Sequence, residues 1–210
     1  MLRSVPVICI AGPSASGKTT LASALEQHLA REGRFALRIS CDDYYRQDWV
    51  PHAIFGYDTV DAIDTVVLRS ELASLRRRRP INLRHYDMRL RRVSRRTAPS
   101  RYDLILLEGA YGPQALHGSA DVDVLVYLQA SLLRRLFRRL RRDVVARHRS
   151  PGYVIRQMFT EMLPGERAFI EPLRAKADLI VRNERLGLVQ ISALIERLID
   201  TDSLRADFNA

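Results

Sequence analysis

Lysine is almost missing from this basic chain. Of the 34 lysine and arginine residues behind the formal net charge of +10, only Lys18 and Lys176 are lysines. A bias this strong toward arginine can reflect coding composition, so the charge is weak support for nucleic-acid binding, and we predict no nucleic-acid partner. A residue type so rare is more informative where it falls inside a motif, as Lys18 does.

Cysteine is scarce, and long apolar runs are missing altogether. Cys9 and Cys41, the only two cysteines, lie in apolar, strand-like stretches without metal-ligand spacing. We interpret them as small buried side chains in a reducing compartment, not as a redox or zinc site. The sequence contains no run of 18 apolar residues and its N-terminus lacks the pattern of a signal peptide. We therefore expect a cytoplasmic protein with no membrane partner.

The chain has 210 residues, 47% of them hydrophobic, which is enough for a single domain over residues 1–210. Strand-like apolar runs alternate with helical patterns, which predicts an α/β fold with a parallel sheet flanked by helices. The predicted strands cover residues 5–11, 35–40, 103–108, 122–128 and 178–181. The predicted helices cover residues 18–32, 61–78, 130–148, 152–175 and 187–199. Arginine-rich, proline-bounded residues 80–99 indicate a hairpin or loop insertion, and residues 202–210 a frayed tail.

The motif that contains Lys18 reads GPSASGKT over residues 12–19. It follows a predicted buried strand and precedes a predicted helix, the position of a GxxxxGK[ST] phosphate-binding loop. Gly12 and Gly17 allow a tight turn that aims N–H groups at phosphates, and the positive end of the helix adds its dipole. Lys18 supplies a charge for the outer phosphates, and the Thr19 hydroxyl can ligate Mg²⁺. The candidate nucleotide-binding residues are Gly12, Pro13, Ser14, Ala15, Ser16, Gly17, Lys18, Thr19 and Thr20.

Carboxylates follow two of the predicted strands. Asp42 and Asp43 come directly after the second strand, and either one could accept a hydroxyl proton and help to fix a metal ion during phosphoryl transfer. The alternative is a helix N-cap, where aspartate is favoured. Glu108 ends the buried strand that begins near Tyr102. At that position it is a candidate for Mg²⁺, directly or through water, beside Thr19.

Arginines are concentrated on the predicted helix over residues 130–148. Its apolar side chains recur at helical spacing, and we expect them to face the core. They are Leu132, Leu133, Leu136, Phe137, Leu140 and Val144. The arginines share the polar side or follow near the helix end. They are Arg135, Arg138, Arg139, Arg142, Arg147 and Arg149. The stripe is either a solvated face or a mobile lid whose guanidinium groups clamp the transferring phosphoryl group.

These motifs, in this order, resemble the uridine-cytidine kinase branch of the phosphoribulokinase/uridine kinase family, from about Val5 to Val181. The loop at 12–19 is similar to the family's GxxxSGK[ST], and residues 40–45 to its SxDxFY segment. Residues 57–64 are similar to NFDHPDAFD. The pair at 108–109 matches an EG, residues 138–149 resemble the lid RRxxRDxxxRGR, and residues 164–181 resemble the ending P-x-F-x-x-F-I-x-P…ADxII.

The resemblance implies a role for each matched residue. Asp42 takes the place of the general base and metal neighbour, Tyr45 lines the nucleoside pocket, and Asp58 holds the ribose hydroxyls. A lid at about 138–152 would bring arginines to phosphate and ribose, with Gln157 as a further ribose contact. The lid arginines that carry over are Arg139, Arg142, Arg147 and Arg149. Together with Lys18 and Asp42, the first three of these form the candidate catalytic set.

The sequence departs from the family pattern where the base is recognised. Residues 86–93 resemble the family's YDFxxHxR, which places Tyr86 at the substrate, but Arg91 stands in place of the base-contacting histidine. His85 lies close by as an alternative for that missing histidine. His148 replaces the lid glycine, and the family's PRG-DN segment near the adenine is reduced to Val181-Arg182-Asn183.

The sequence as a whole predicts an ATP- and Mg²⁺-dependent kinase for a small molecule, most simply one that phosphorylates the 5′-hydroxyl of uridine or cytidine. The resemblance also implies a homo-oligomer. A first alternative is a kinase for another acceptor, such as a phosphorylated sugar or vitamin-like alcohol, with Arg91 contacting an anion. A second is an NTP-binding module that holds nucleic acid on its arginines, against which the Asp42 segment and the lid pattern argue.

Overall fold

The computed structural model describes the backbone of residues 4–207 and the side chains of residues 4–199. Its seven strands divide into a parallel sheet of five and a separate hairpin of two. They are β1 (Val7–Ala11), β2 (Ala36–Ser40), β3 (Asn82–Asp87), β4 (Arg92–Thr97), β5 (Leu104–Gly109), β6 (Val124–Leu128) and β7 (Leu179–Val181). The parallel sheet has the order β2-β5-β1-β6-β7. The predicted fold class is confirmed.

The three central strands of the parallel sheet are buried on both faces, as their continuous apolar runs predict. Every residue of β1, β5 and β6 is buried. Along β1, Cys9 faces one hydrophobic core while its neighbours Ile8 and Ile10 face the other. Cys9 and Cys41 are both buried and form no disulfide.

Helices cover the two faces of the sheet. The core that contains Ile8 lies under α1 (Lys18–Arg31) and α8 (Glu184–Asp207), and the opposite core lies under α2 (Thr65–Arg76). Helix α2 begins later than its predicted start at 61, because residues 60–62 form a 3₁₀ turn and the Asp64 carboxylate caps the helix, accepting the Val67 N–H at 3.2 Å. The short helix α3 (Pro113–Leu116) was not predicted.

The tail predicted over residues 202–210 overlaps the end of α8, which is helical to Asp207. Residues 208–210 lie outside the described part of the chain, so the frayed tail stays a prediction. Between residues 4 and 207, no helix combines the length and the apolar character needed to cross a membrane.

A long helical run with two π-helical segments follows α4 (Leu132–Val145). The run contains α5 (Pro151–Gln157), α6 (Leu163–Gly165) and α7 (Glu171–Arg174). The π-helical segments are Met158–Met162 and Glu166–Ile170. Helices α4 and α5 pack through a small core of their own around Val154, Met158 and Met162. Such π segments often lie at functional sites.

The β3–β4 hairpin occupies the predicted insertion at 80–99 and is anchored by one buried acid. The Glu71 carboxylate accepts hydrogen bonds from the Tyr44 hydroxyl at 2.9 Å, the Arg84 N–H at 3.3 Å and the Arg95 guanidinium at 3.1 Å. These bonds join α2, the turn after β2 and the hairpin. The hairpin is therefore held beside the carboxyl ends of the strands, the edge where sheets of this class bind ligands.

Candidate active site

The phosphate loop joins β1 to α1 through backbone conformations that favour glycine. Gly12 has a φ of +149°, and a Cβ added there would meet the Leu128 carbonyl oxygen at 2.5 Å. Gly17 has a φ of +103° and precedes α1 without a side-chain cap. Ala15 is also left-handed, with a φ of +59°. The uncapped helix start leaves amide groups for an anion, and the Ser16 hydroxyl is buried with no hydrogen-bond partner among the described residues.

Lys18 is a buried cation beside this loop. Its side chain is 8% exposed, and its Nζ donates to the Pro13 carbonyl oxygen at 3.0 Å. Burial lowers the pKa of Lys18, while the carboxylates of Glu108 and Asp42 act in the opposite direction. A buried ammonium group with a carbonyl as its hydrogen-bond partner needs compensating negative charge, which a phosphate would supply. The last loop residues predicted for the nucleotide, Thr19 and Thr20, are exposed.

Oxygen-bearing side chains meet between the loop and the sheet. Thr19 Oγ1 donates to Glu108 Oε1 at 3.1 Å, and Ser40 Oγ donates to the same oxygen at 3.0 Å. Burial, and then the charge of Asp42, raise the pKa of Glu108, which Lys18 and the two hydroxyl bonds oppose. Two mutually repelling carboxylates beside a hydroxyl fit Mg²⁺, which takes oxygen ligands and commonly shares them with phosphate. Within the described side chains, no cluster of three or more His, Cys, Asp or Glu could hold a metal ion.

The structure separates the two adjacent aspartates by their contacts. Asp43 Oδ1 accepts the Tyr86 N–H at 3.1 Å and lies 2.8 Å from His85 Nδ1, so Asp43 fastens the hairpin. Asp42 is instead exposed. Its own N–H donates to Ser40 Oγ at 3.3 Å, which caps the 3₁₀ turn over residues 41–44. The cap is therefore Ser40, and the Asp42 carboxylate is available for chemistry.

Neighbouring protein atoms displace part of the water around the Asp42 carboxylate. This partial removal of water raises the pKa of Asp42, and the positive charges of Lys18, Arg142 and Arg147 oppose the rise. Because the carboxylate keeps contact with solvent, water also limits the rise. A carboxylate with a pKa above its ordinary value is a better proton acceptor than an unperturbed aspartate.

Arg139 connects the phosphate loop to the candidate ribose site. Its guanidinium donates to Ser14 Oγ at 3.3 Å and to the two Asp58 carboxylate oxygens at 3.4 and 3.2 Å. It also donates to Gln157 Oε1 at 3.4 Å, an oxygen that accepts from Arg149 at 3.4 Å as well. Arg139, Asp58 and Gln157 are buried. The structure therefore brings together five residues that were predicted separately.

All four lid arginines surround one buried carboxylate. This is Asp143, whose side chain has no exposed surface. Its oxygens lie within 4 Å of four guanidinium groups. These are Arg142 at 2.8 Å, Arg147 at 3.4 Å, Arg149 at 3.7 Å and Arg139 at 3.8 Å. Asp143, together with the Asp58 that Arg139 also pairs with, sets two negative charges against four positive ones, which leaves an excess that an incoming phosphate can neutralise.

Helix α4 corrects the predicted orientation of its faces. Leu132, Leu133 and Phe137, predicted to face the core, are 43%, 80% and 67% exposed. Leu136, Leu140 and Val144 are partly buried and pack against the small core around Val154, Met158 and Met162, as predicted. The fully buried residues of α4, however, are charged. They are Arg135, Arg139 and Asp143. The charged stripe turns inward because it finds acids and the phosphate loop there, whereas Arg138 and Arg142 are exposed.

An aromatic cluster lies beside Asp42 under the hairpin. The ring of Tyr45 is 6.4 Å from that of Tyr57 and 6.0 Å from that of Tyr86. Tyr45 and Tyr86 are buried, and the Tyr57 hydroxyl is buried with no hydrogen-bond partner within the described structure. Flat, polar-tipped rings of this kind suit a planar ligand.

Arg91 does not lie in a buried pocket. It is exposed in the hairpin turn with a φ of +52°, and its guanidinium lies 5.1 Å above the Tyr57 ring. Asp87 is not its partner, because the Asp87 carboxylate accepts the Arg89 and Leu90 N–H groups at 2.7 and 2.8 Å.

Two other candidate ligand contacts have structural partners. His85, the alternative to Arg91, is held by Asp43 and is exposed. Asn183 Oδ1 accepts the N–H groups of Arg185 and Leu186 at the start of α8, and Arg182 is exposed. Whether any of these residues contacts a ligand stays a prediction.

Glu166 is a buried acid beside the phosphate loop that no sequence motif predicted. It forms an ion pair with Arg135 at 2.7 Å and accepts the Ser14 N–H of the phosphate loop at 3.1 Å. The signal that could have located it is Pro164-Gly165, an interruption of the predicted helix directly before the acid.

Comparison with known proteins gives a family for this fold and site. The model of the phosphoribulokinase/uridine kinase family matches residues 7–192. The chain belongs to this family. It is 32% identical to the uridine kinase of Staphylococcus epidermidis, over 94% of this chain and 97% of that protein. It is 34% identical to the uridine kinase of Lactobacillus helveticus, over 94% and 95% respectively.

A solved structure shares the fold at lower identity. It is provisionally described as a fructose transport system kinase from Silicibacter sp. TM1040. The TM-score is 0.70 at 18% identity, with 85% of this chain and 90% of that chain covered. This likeness shows the fold alone. With the family established, the chain is a phosphotransferase that acts on a hydroxyl acceptor.

Proposed function

We propose that this chain transfers the γ-phosphoryl group of ATP to the 5′-hydroxyl of uridine or cytidine. The observation that carries the proposal is Arg139, which contacts Ser14 of the phosphate loop and Asp58 of the candidate ribose site with one guanidinium group. Phosphate donor and sugar acceptor would therefore meet at the same side chain. The uridine kinase relatives support a nucleoside acceptor.

Each residue of the candidate active site has its own task in the proposed reaction. Lys18 and the loop amides hold the outer phosphates, and Thr19 and Glu108 would hold Mg²⁺, which neutralises charge on the phosphates when bound. Asp42 accepts the proton of the attacking hydroxyl. Arginines on and after α4 stabilise the charge that spreads over the phosphoryl oxygens. These arginines are Arg139, Arg142 and Arg147.

The acceptor pocket would be formed by residues on the hairpin side of Asp42. Tyr45 and Tyr86 present aromatic rings to the base, and Asp58 with Gln157 receives the ribose hydroxyls. Arg149, which donates to Gln157, would join them when the lid closes. A homo-oligomer and a cytoplasmic location remain predictions.

A second candidate acceptor is an anionic metabolite, such as a phosphorylated sugar. The observation that favours it is Arg91, which is exposed, stacks on Tyr57 and belongs to none of the ion pairs formed by the described residues. A free guanidinium at the rim of an acceptor pocket can bind a phosphate or carboxylate bidentately.

A coupled assay of ADP release separates the two acceptors. The parent protein and Arg91→His are compared with uridine, cytidine, a sugar phosphate and a pantothenate-like alcohol. For a nucleoside kinase we expect Arg91→His to keep or improve kcat/KM for uridine. For an anionic acceptor we expect its KM to rise strongly and uridine to be a poor substrate of the parent. Absence of uridine and cytidine phosphorylation by the parent would reject the nucleoside assignment.

A further inference from the structure

Ser14 of the phosphate loop forms hydrogen bonds with three side chains that lie outside the loop. Its N–H, its carbonyl oxygen and its hydroxyl oxygen each take part. Its N–H donates to Glu166 Oε1 at 3.1 Å, and its carbonyl oxygen accepts from Arg135 at 3.3 Å. Its hydroxyl oxygen accepts from Arg139 at 3.3 Å. Loop residues that bind phosphate are usually left free, so this attachment fixes the loop at one point while the amides after Ser14 stay available.

Glu166 and Arg135 form a closed pair. One Arg135 nitrogen donates to both Glu166 oxygens, at 2.7 and 2.8 Å, and the side chains are only 8% and 4% exposed for Arg135 and Glu166. A lone carboxylate beside a triphosphate site would repel the ligand. Arg135 cancels that charge, so Glu166 can accept the Ser14 N–H without adding net negative charge to the site.

The loop needs an external support because of its backbone conformation. Ala15, the residue after Ser14, is left-handed with a φ of +59°, which a Cβ disfavours. The Ser16 N–H closes the turn onto the Pro13 carbonyl at 3.2 Å. Strained residues of this kind persist where the surrounding structure fixes their neighbours. Glu166 and Arg135 fix the neighbour of Ala15.

The position of Glu166 is itself determined by a close backbone contact. Gly165 precedes it, and a Cβ added at Gly165 would lie 2.1 Å from the Asp58 carbonyl oxygen. The helical run therefore packs directly against the backbone of Asp58, the residue predicted to bind the ribose hydroxyls. Its π-helical segment begins at Glu166. One helix thus contacts the acceptor side through Gly165 and the phosphate loop through Glu166.

We propose that Glu166 and Arg135 are positioning residues that hold the phosphate loop in its ATP-binding conformation. They act through Ser14 and do not touch the reacting atoms. The proposal rests on the use of ATP as phosphoryl donor but not on the identity of the acceptor.

The test is the double variant Arg135→Met/Glu166→Leu, which removes both charges and keeps the net charge and approximate side-chain volume. Replacement of a buried ion pair by apolar side chains is often neutral or stabilising for the fold, so the variant should fold. We expect the Kd for ATP, measured by calorimetry without acceptor, to rise about tenfold or more, the size of one hydrogen bond to a charged group. The melting temperature should not fall.

The matched control is Arg38→Met/Glu26→Leu, the same exchange in an exposed ion pair of 3.3 Å on the surface. It should leave the Kd for ATP unchanged. A folded Arg135→Met/Glu166→Leu variant whose Kd for ATP lies within about twofold of the parent overturns the proposal. If this variant does not fold, Arg135→Leu/Glu166→Met, which removes the same two charges with other side-chain shapes, is judged by the same two outcomes.

A rescue experiment distinguishes loop conformation from a general disturbance. In an Ala15→Gly background the left-handed residue needs no support, since glycine adopts that conformation freely. The loss of ATP affinity caused by Arg135→Met/Glu166→Leu should therefore shrink in this background. An undiminished loss would mean that the pair does not act through loop conformation, and would overturn the proposal. Because no acceptor is present, an error in the acceptor assignment cannot produce either result.

Discussion

Helices α1 and α4 are alike in length and place but bury opposite kinds of side chain. Each has 14 residues, and each follows one of the two paired central strands, β1 and β6. Helix α1 buries Leu21, Leu25 and Leu29 against the sheet. Helix α4 buries two arginines and an aspartate, and exposes Leu133.

The difference follows from what each helix packs against. Helix α1 meets the candidate phosphate site with its first turn, at Lys18 and Thr19, and its later buried residues belong to the core. Helix α4 lies over the carboxyl edge of the sheet, where Glu166, Asp58 and the phosphate loop provide partners for charge. Buried charges are stable only when paired, so the fully buried side chains of α4 are held by electrostatic partners, while Leu136, Leu140 and Val144 pack on α5.

The largest effects should come from the start of α1 and from Asp42. We expect Lys18→Ala and Asp42→Asn each to lower kcat by at least ~100-fold, because phosphoryl transfer depends on positioned charge and a proton acceptor. Steady-state kinetics and calorimetry with ATP check this. Lys18→Ala should also weaken ATP binding, whereas Asp42→Asn should bind ATP almost normally.

Leu25→Ala is the matched change in the interior of α1. It should destabilise the fold by about 2–5 kcal/mol and leave the kcat of the folded protein unchanged. Near-parental turnover in Asp42→Asn would contradict the assignment of Asp42 as the base. Because Asp43 is engaged with the hairpin, that result would also require a base that is not an aspartate of this turn.

The next effect concerns the inner face of α4. Arg139→Ala should cost about 2–4 kcal/mol of transition-state stabilisation, because its guanidinium acts in a buried, water-poor site. Arg141→Ala, an exposed position on the same helix, should change kcat/KM little. Comparison of kcat/KM for the two variants checks this, and equal small losses would mean that the arginine stripe has no catalytic role.

Most of the fold and the motif-borne residues could be predicted from the sequence. The spacing of glycine and lysine predicts a phosphate loop between a strand and a helix, and it therefore also predicts the positions of Lys18 and Thr19 at the start of that helix. The faces of α4 could not be predicted in the same way. A helix with one charged and one apolar stripe has the same periodicity whichever stripe is buried, and the outcome depends on partners distant in sequence.

The role of Glu166 could not be predicted from the sequence either, because it also depends on distant partners. Its value to the fold depends on Arg135, 31 positions away, and on the Ser14 backbone, 152 positions away. No local pattern encodes such a pairing. The contacts of Asp43 are similar, since only the packed hairpin shows that one of two adjacent aspartates is already engaged.

A smaller effect is expected in the pH profile. Activity requires ionised Asp42, so it falls as the pH falls through the pKa of Asp42. The positive charge of Arg147 opposes the rise of that pKa. Arg147→Gln should therefore raise the pKa further and move the acid limb of kcat/KM to higher pH. Measurement of kcat/KM between acidic and neutral pH checks this. An acid limb that stays in place would mean that Asp42 does not control it.

The smallest effect should come from the outer face of α4, and it tests the orientation of the helix directly. Leu133 is 80% exposed, so Leu133→Ser should change the free energy of unfolding by no more than about 0.5 kcal/mol. Had α4 buried Leu133, as its hydropathy alone predicts, the same change would remove core packing and cost several times more. Denaturant unfolding at several protein concentrations separates the cases. A large loss at every concentration would reverse the assigned faces of α4, whereas a loss that grows with protein concentration would place Leu133 in a contact between copies of the chain.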